Sequence, residues 1–153
     1  MTPLLTDPGS MAAQSALRCY FHDIASLAAV SIDVETALLD IADYRPPTGA
    51  FWVVGENPAT GCAGLRTLAP GVGEIKRMWI SQTARGSGAA RDLLDAIEVY
   101  ARGLGMTKIL LDTNGGLRAA MAFYTKAGYS PIERYNNNPD ATHFFAKVWH
   151  TSP

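Results

Sequence analysis

The run Arg85-Gly86-Ser87-Gly88-Ala89-Ala90 has the residue types of an anion site. A helix that opens out of a glycine-containing loop presents unpaired backbone N–H groups and the positive end of its dipole, which together attract a group such as phosphate. Gly86 and Gly88 let the backbone approach a ligand closely, and Arg85 adds a fixed cation at the rim. The same pattern also serves as a tight turn into a helix with no ligand. Two other glycine-loop chemistries are excluded. No Lys-Ser or Lys-Thr follows the glycines, so the Gly-x-x-x-x-Gly-Lys-Ser/Thr loop is absent. Gly86-Ser87-Gly88 runs into Ala89-Ala90-Arg91, so the Gly-x-Gly-x-x-Gly dinucleotide pattern fails.

The elements around this loop read as a mixed α/β chain. Pro3 to Thr6 is a short first strand before the Asp7-Pro8-Gly9 turn. Ala12 to Ala29 carries Leu17, Tyr20, Phe21, Ile24, Leu27 and Ala28 at helical spacing. Val34 to Ile41 is a second helical stretch, closed before Arg45-Pro46-Pro47. The period then changes: Ala50–Val54, Cys62–Leu68 and Gly73–Ile80 are strands of an antiparallel meander, with a turn at Gly55-Glu56-Asn57-Pro58. The helix after the glycine loop has Leu93, Ile97, Tyr100 and Leu104 on one stripe, with Arg91–Asp95 and Glu98–Arg102 as opposite charges at i,i+4. Lys108–Thr113 is a strand whose Ile109-Leu110-Leu111 run predicts burial on both faces. Leu117, Ala120, Met121 and Tyr124 share one face of a further helix closed by Gly128. Two strands follow, Tyr129–Tyr135 and His143–Trp149.

Composition fits one domain over residues 1–153, with 48% hydrophobic residues and a formal net charge of -1. That balance argues against nucleic acid or an anionic membrane as the main partner. No apolar run reaches the length of a membrane span, and Met1 to Ser10 lacks the layout of a signal peptide. Cys19 and Cys62 have no metal-ligand spacing and read as small buried hydrophobes in a soluble cytoplasmic protein.

The segment Ile75-Lys76-Arg77-Met78-Trp79-Ile80-Ser81, followed by Arg85 to Ala90, resembles the core motif of the GNAT superfamily of N-acetyltransferases. Arg85, Gly88 and Ala90 fit its Gln/Arg-x-x-Gly-x-Gly/Ala pattern. Ala119-Ala120-Met121-Ala122-Phe123-Tyr124, with Ala127-Gly128-Tyr129, resembles the family's later helix-turn-strand. The resemblance covers nearly the whole chain, from about Pro3 to Trp149. It implies the GNAT fold: a mixed, mostly antiparallel twisted sheet of six or seven strands, splayed centrally, with about four helices.

The resemblance also implies transfer of the acetyl group of acetyl-CoA to a primary amine by direct attack, with no metal. The acceptor would be a small molecule or a peptide; a homodimer is left open. The implied donor site is Met78, Trp79 and Ile80 along the pantetheine arm, with Arg85, Gly86, Ser87, Gly88, Ala89 and Ala90 on the pyrophosphate. Tyr124 would protonate the departing thiolate. Glu74 lies where some members carry a general base. Many members have Asn seven residues before the tyrosine; here that position is Leu117, and Asn114 falls three residues early.

Each residue has a plainer reading beside the functional one. Glu74 shares a strand face with Lys76 and Met78, which also suits a surface Glu74–Lys76 ion pair. Tyr124 also reads as a core aromatic. Asp112 is either a substrate ligand or a loop cap. Tyr135, Asn138 and His143 border the acceptor site by the resemblance, or belong to an exposed turn. Trp52, Trp79 and Trp149 read as core or interface aromatics, and Arg66 and Arg77 as carboxylate readers or solvated strand charges. The alternative function is a catalytically silent acyl-CoA-binding sensor or scaffold.

Overall fold

The computed structural model describes residues 2–27, 29, 31–55 and 58–150. The elements run β1 (Leu4–Leu5), α1 (Met11–Leu27), α2 (Val34–Ala37), β2 (Gly49–Val54), β3 (Gly61–Ala69), β4 (Val72–Ile80), α3 (Ala89–Gly103), β5 (Lys108–Thr113), α4 (Arg118–Lys126), β6 (Ser130–Ile132) and β7 (His143–Val148). Single 3-10 segments, Leu38–Tyr44 and Gln82–Ala84, precede β2 and the glycine loop. The order matches the sequence reading, and several bounds differ. The second helix leaves α geometry at Ala37. The expected Tyr129–Tyr135 strand pairs only over Ser130–Ile132. The first helix ends at Leu27, and Ala28, counted on its stripe, lies outside the described residues. So do Glu56 and Asn57 of the expected turn.

The sheet has seven strands in the order β1-β2-β3-β4-β5-β7-β6. Among the described residues only β4 and β5 pair in parallel, from Val72↔Lys108 to Ile75↔Leu111. Beyond that pair β4 stays with β3 up to Ile80, while β5 stays with β7 up to Thr113. The sheet therefore forks between β4 and β5.

Each face carries its own core. α3 and α4 cover one, with Leu93, Leu94, Ile97, Ile109, Leu111 and Tyr124 among its buried residues. α1 and the Leu38–Tyr44 segment cover the other, with Leu17, Phe21, Tyr44, Phe51 and Trp79. Ile109, Leu110 and Leu111 are all buried, as a strand enclosed on both faces requires.

A bulge in β4 sets the geometry at the fork. Cys62 pairs with Trp79 but Gly64 pairs with Lys76, so Arg77 and Met78 together oppose Ala63. Arg77 takes a left-handed φ of 57°, a conformation costing a non-glycine residue on the order of 1 kcal/mol. Its side chain offsets that cost. The guanidinium binds Asp40 Oδ1 at 2.6 Å, Asp40 Oδ2 at 3.0 Å and the Ala37 carbonyl at 2.9 Å, and it lies over the rings of Phe21 and Tyr44. The bulge also reverses the strand's phase. Ile75, Met78 and Ile80 pack on the α3 side, whereas Arg77 and Trp79 meet the α1 side. The expected shared face of Glu74, Lys76 and Met78 is corrected accordingly.

Three side chains differ from the local reading. Glu98 does not pair with Arg102: it is buried, accepts from the Tyr129 hydroxyl at 2.9 Å and binds Lys147 Nζ at 3.0 Å. Arg102 lies over Trp149 instead. Cys62 is buried but Cys19 is exposed. No described helix is long and apolar enough to cross a membrane.

Candidate active site

Two lobes open at the fork and meet. The larger has a volume of ≈ 600 Å³ and runs from the glycine loop along Met78, Trp79 and Ile80 to α4. The smaller, of ≈ 230 Å³, lies between α1, the start of the fork and the segment 138–141. Tyr20, Ile24, Met78, Leu117, Ala120 and Tyr124 line both.

In the larger lobe the loop alternates. The N–H groups of Arg85, Ser87 and Ala89 are used internally, donating to the Gln82 carbonyl, the Ala84 carbonyl and Ser87 Oγ. Those of Gly86, Gly88, Ala90 and Arg91 donate to no partner among the described residues. Gly86 and Gly88 hold φ of +80° and +87°, and a Cβ built on either would meet nothing within 4 Å. Open space lies at the two glycines, and all four residues with unpaired donors line the lobe at the N-terminus of α3. That arrangement fits a phosphate. Of the nine residues expected here, Ser87 alone does not line the lobe; its Oγ donates to the Ala84 carbonyl at 2.5 Å. Arg91 and Arg118 line it as well and add cations the sequence reading had not assigned. Past Ile75, the β4 edge turned away from β3 has no strand partner among the described residues, so its backbone groups can pair with an extended ligand.

The smaller lobe is built on Asp112, the first β5 residue past the last parallel pair. Lys76 Nζ binds both its oxygens at 2.9 Å, and the amides of Asn136 and Asn138 donate to Oδ2 at 2.6 and 3.4 Å. Burial alone would push this carboxyl up, but the Lys76 ammonium and the two amides outweigh it and hold it below the ordinary carboxylate range. Asp112, Lys76, Asn114 and Asn138 line the lobe, opposite an apolar wall of Phe21, Ile24 and Ile32.

Glu74 is fully buried and lines neither lobe. It does not pair with Lys76. Arg66 Nε binds its Oε1 at 2.7 Å and the Tyr135 hydroxyl donates to its Oε2 at 2.5 Å. Arg66, like Arg77, is thus an ion-pair partner of the protein's own carboxylates. Tyr135 also lines neither lobe, and His143 sits exposed at the head of β7, with Nδ1 2.8 Å from Thr142 Oγ1. Of the three expected acceptor residues, only Asn138 reaches the lobe.

Tyr124 stands at the junction, fixed by the rings of Phe123, Tyr129 and Phe145. Burial pushes its phenol well above the ordinary range, with a smaller contribution from the Asp112 charge. The site of the absent family asparagine holds Leu117, which lines both lobes. Asn114 is occupied locally: its Oδ1 accepts from Gly116 N–H and its Nδ2 donates to the Asp140 carbonyl.

A sequence profile described as "Acetyltransferase (GNAT) family" matches residues 14–129. The chain is 34% identical over 107 residues to an IAA acetyltransferase of Azospirillum brasilense, spanning 67% of this chain and 70% of that protein. It is 31% identical to an uncharacterized N-acetyltransferase of Schizosaccharomyces pombe, covering 63% of this chain and 61% of the relative. Among solved structures, a GNAT acetyltransferase from Staphylococcus aureus superposes with a TM-score of 0.84 at 19% identity, over 97% of this chain and all of that one. A PaiA N-acetyltransferase from Thermoplasma acidophilum, solved with coenzyme A, superposes with a TM-score of 0.75 at 13% identity, over 97% and 100% of the two chains. At those identities the likeness is one of fold.

Proposed function

Because the chain belongs to the GNAT acetyltransferase family, we propose that it transfers the acetyl group of acetyl-CoA to a primary amine by direct attack. The observation that carries this reading is the junction at Tyr124. A lobe ending in a phosphate-type loop meets there a lobe with a polar floor.

The N–H groups of Gly86, Gly88, Ala90 and Arg91, with the Arg85, Arg91 and Arg118 cations, hold the pyrophosphate. The free edge of Met78–Ile80 aligns the pantetheine arm. Bound there, acetyl-CoA supplies an activated acyl group at the junction. Tyr124 keeps its proton at neutral pH and gives it to the departing sulfur. The acceptor occupies the smaller lobe beside Asp112 and Asn138 and loses its proton to solvent. Glu74 has both oxygens engaged and no face on either lobe, so its part is positioning: it anchors Tyr135 and with it the loop that supplies Asn136 and Asn138.

A panel of small amines, amino acids and peptide N-termini, read by thiol release from acetyl-CoA, tests the reading. Acetylation of at least one amine class is the expected result. Tight CoA binding without turnover on any amine would leave only a binding module.

A further inference from the structure

A second phenol reaches the place where the lobes meet. Tyr20, on α1, lines both lobes, as Tyr124 does. The two arrive from opposite faces of the sheet. Tyr20 packs against the α1-side core, and Tyr124 belongs to the α3/α4-side core. They face one gap because β4 and β5 stop pairing at Ile75↔Leu111.

Neither hydroxyl has a hydrogen-bond partner among the described residues. The sealed, unpartnered hydroxyl among those residues belongs to Tyr44; those of Tyr20 and Tyr124 are not sealed, and both residues line the cavity. Packing does not account for the Tyr20 oxygen, since its edge contact with Phe21, centroids 5.0 Å apart, would serve a phenylalanine equally well. Burial pushes the Tyr20 phenol far above its ordinary range, with the Arg77 charge working against it. Both are donors at any working pH.

Acyl transfer from a thioester makes two electrostatic demands. The carbonyl oxygen gains charge when nitrogen attacks, and the sulfur gains charge when the C–S bond breaks. One phenol on one wall meets one demand. Building on the acetyl-transfer reading, we propose that the Tyr20 hydroxyl donates a hydrogen bond to the acyl carbonyl oxygen, while Tyr124 serves the sulfur. The amine lone pair forms the C–N bond, the carbonyl π pair moves to oxygen, and Tyr20 keeps its proton. The C=O bond then reforms and the C–S bond breaks. Sulfur takes the bonding pair and the Tyr124 proton, and the nitrogen's proton, released to solvent, is matched by one returned to Tyr124. Amine and thioester become amide and thiol.

Isotope-difference infrared spectroscopy of carbonyl-labelled acetyl-CoA on the protein tests this without any acceptor. The wild-type band should lie below its position in free solution. Tyr20→Phe should return it toward that position, and Tyr124→Phe should leave it in place. With an active amine, Tyr20→Phe should lower kcat about a hundredfold, the scale for loss of one oxyanion donor, with little change in acetyl-CoA Kd. If Tyr20→Phe does not fold, 3-fluorotyrosine at the same position, a stronger donor, should move the band further from solution. A wild-type band at the solution position, or one that does not respond to Tyr20 substitution, overturns the Tyr20 assignment. Acetyl transfer still stands in that case if Tyr124→Phe slows turnover. Failure of the wild type to bind acetyl-CoA overturns both.

Discussion

Tyr135 and Glu74 meet across 61 residues of chain, the phenol donating to Oε2 at 2.5 Å. This contact fastens the loop after β6 to the sheet interior from one side. On the other side, Arg134 binds the carbonyls of Asn138 and Ala141 at 3.0 and 2.8 Å. Tyr135→Phe leaves a buried carboxylate oxygen without its donor, which costs about 1–3 kcal/mol. The expected outcome is a lower Tm and a raised acceptor KM, with acetyl-CoA KM unchanged. Glu74→Gln should behave alike and keep the wild-type pH–rate profile. Loss of rate concentrated at low pH in Glu74→Gln would instead make Glu74 the base.

Asp112 ties three segments at the edge of the smaller lobe: β4 through Lys76, β5 through its own backbone, and the loop through Asn136 and Asn138. Asp112→Asn removes the counter-ion and leaves the Lys76 ammonium in a partly buried site. Acceptor KM should rise roughly tenfold, on the scale of one charged hydrogen bond, while CoA affinity by calorimetry stays put. Asn138→Ala should show the same split more weakly. Equal effects on both substrates would reduce this network to a structural brace.

Tyr124→Phe should lower kcat roughly a hundred- to ten-thousandfold, in the range of general acid catalysis, with CoA binding retained. Because burial raises its pKa, the wild-type rate should show no decline from phenol ionisation as pH passes about 10. Full kcat in Tyr124→Phe, with chemistry shown to be rate-limiting, would make the ring a packing group.

The backbone of the glycine loop was legible because its conformation is set locally. Left-handed φ at positions 86 and 88 demands glycine, and an amphipathic helix must follow for the site to exist. The β4 bulge was not, because its left-handed residue is Arg77, held there by Asp40 and two rings far away in sequence. One inserted residue then turned Met78 to the opposite face from Glu74. Glu98 misled the helical spacing in the same way: its partners Lys147 and Tyr129 are 49 and 31 positions away. The smaller lobe joins Lys76, Asp112 and Asn138, residues that no short window contains. Tyr20 was visible only as one member of an apolar stripe, since periodicity reports the ring and not where the hydroxyl points.

Alkaline unfolding should be pronounced. Burial raises the phenols of Tyr20, Tyr44, Tyr124, Tyr129 and Tyr135 above their ordinary value, with carboxylates adding to the shift at Tyr129 and Tyr135. In the unfolded chain these groups ionise near pH 10. A raised folded-state pKa gives stability that is complete below that point and lost as pH climbs past it. Denaturant midpoints measured from about pH 8 to 11 should therefore fall steeply only in the upper part of the range. A flat profile there would mean the phenols are solvated in the folded state.

Gly88→Glu tests the donor half of the site. At φ +87° any side chain is strained, at a cost on the order of 1–2 kcal/mol, so the variant should fold with a modestly lower Tm. No atom lies within 4 Å of a Cβ at this position, so that loss comes from backbone strain rather than collision. The ligand should be affected far more. A carboxylate would stand among the free N–H groups of Gly86, Ala90 and Arg91, satisfying the donors a phosphate needs and repelling its charge. CoA affinity by calorimetry should fall at least tenfold, equivalent to about 1.4 kcal/mol. Gly88→Ala separates the two causes: it carries the same backbone strain without the charge, so it should match the Tm loss and keep most of the affinity. Wild-type CoA affinity in a folded Gly88→Glu protein would remove the pyrophosphate from this loop, and the reading of the larger lobe would go with it.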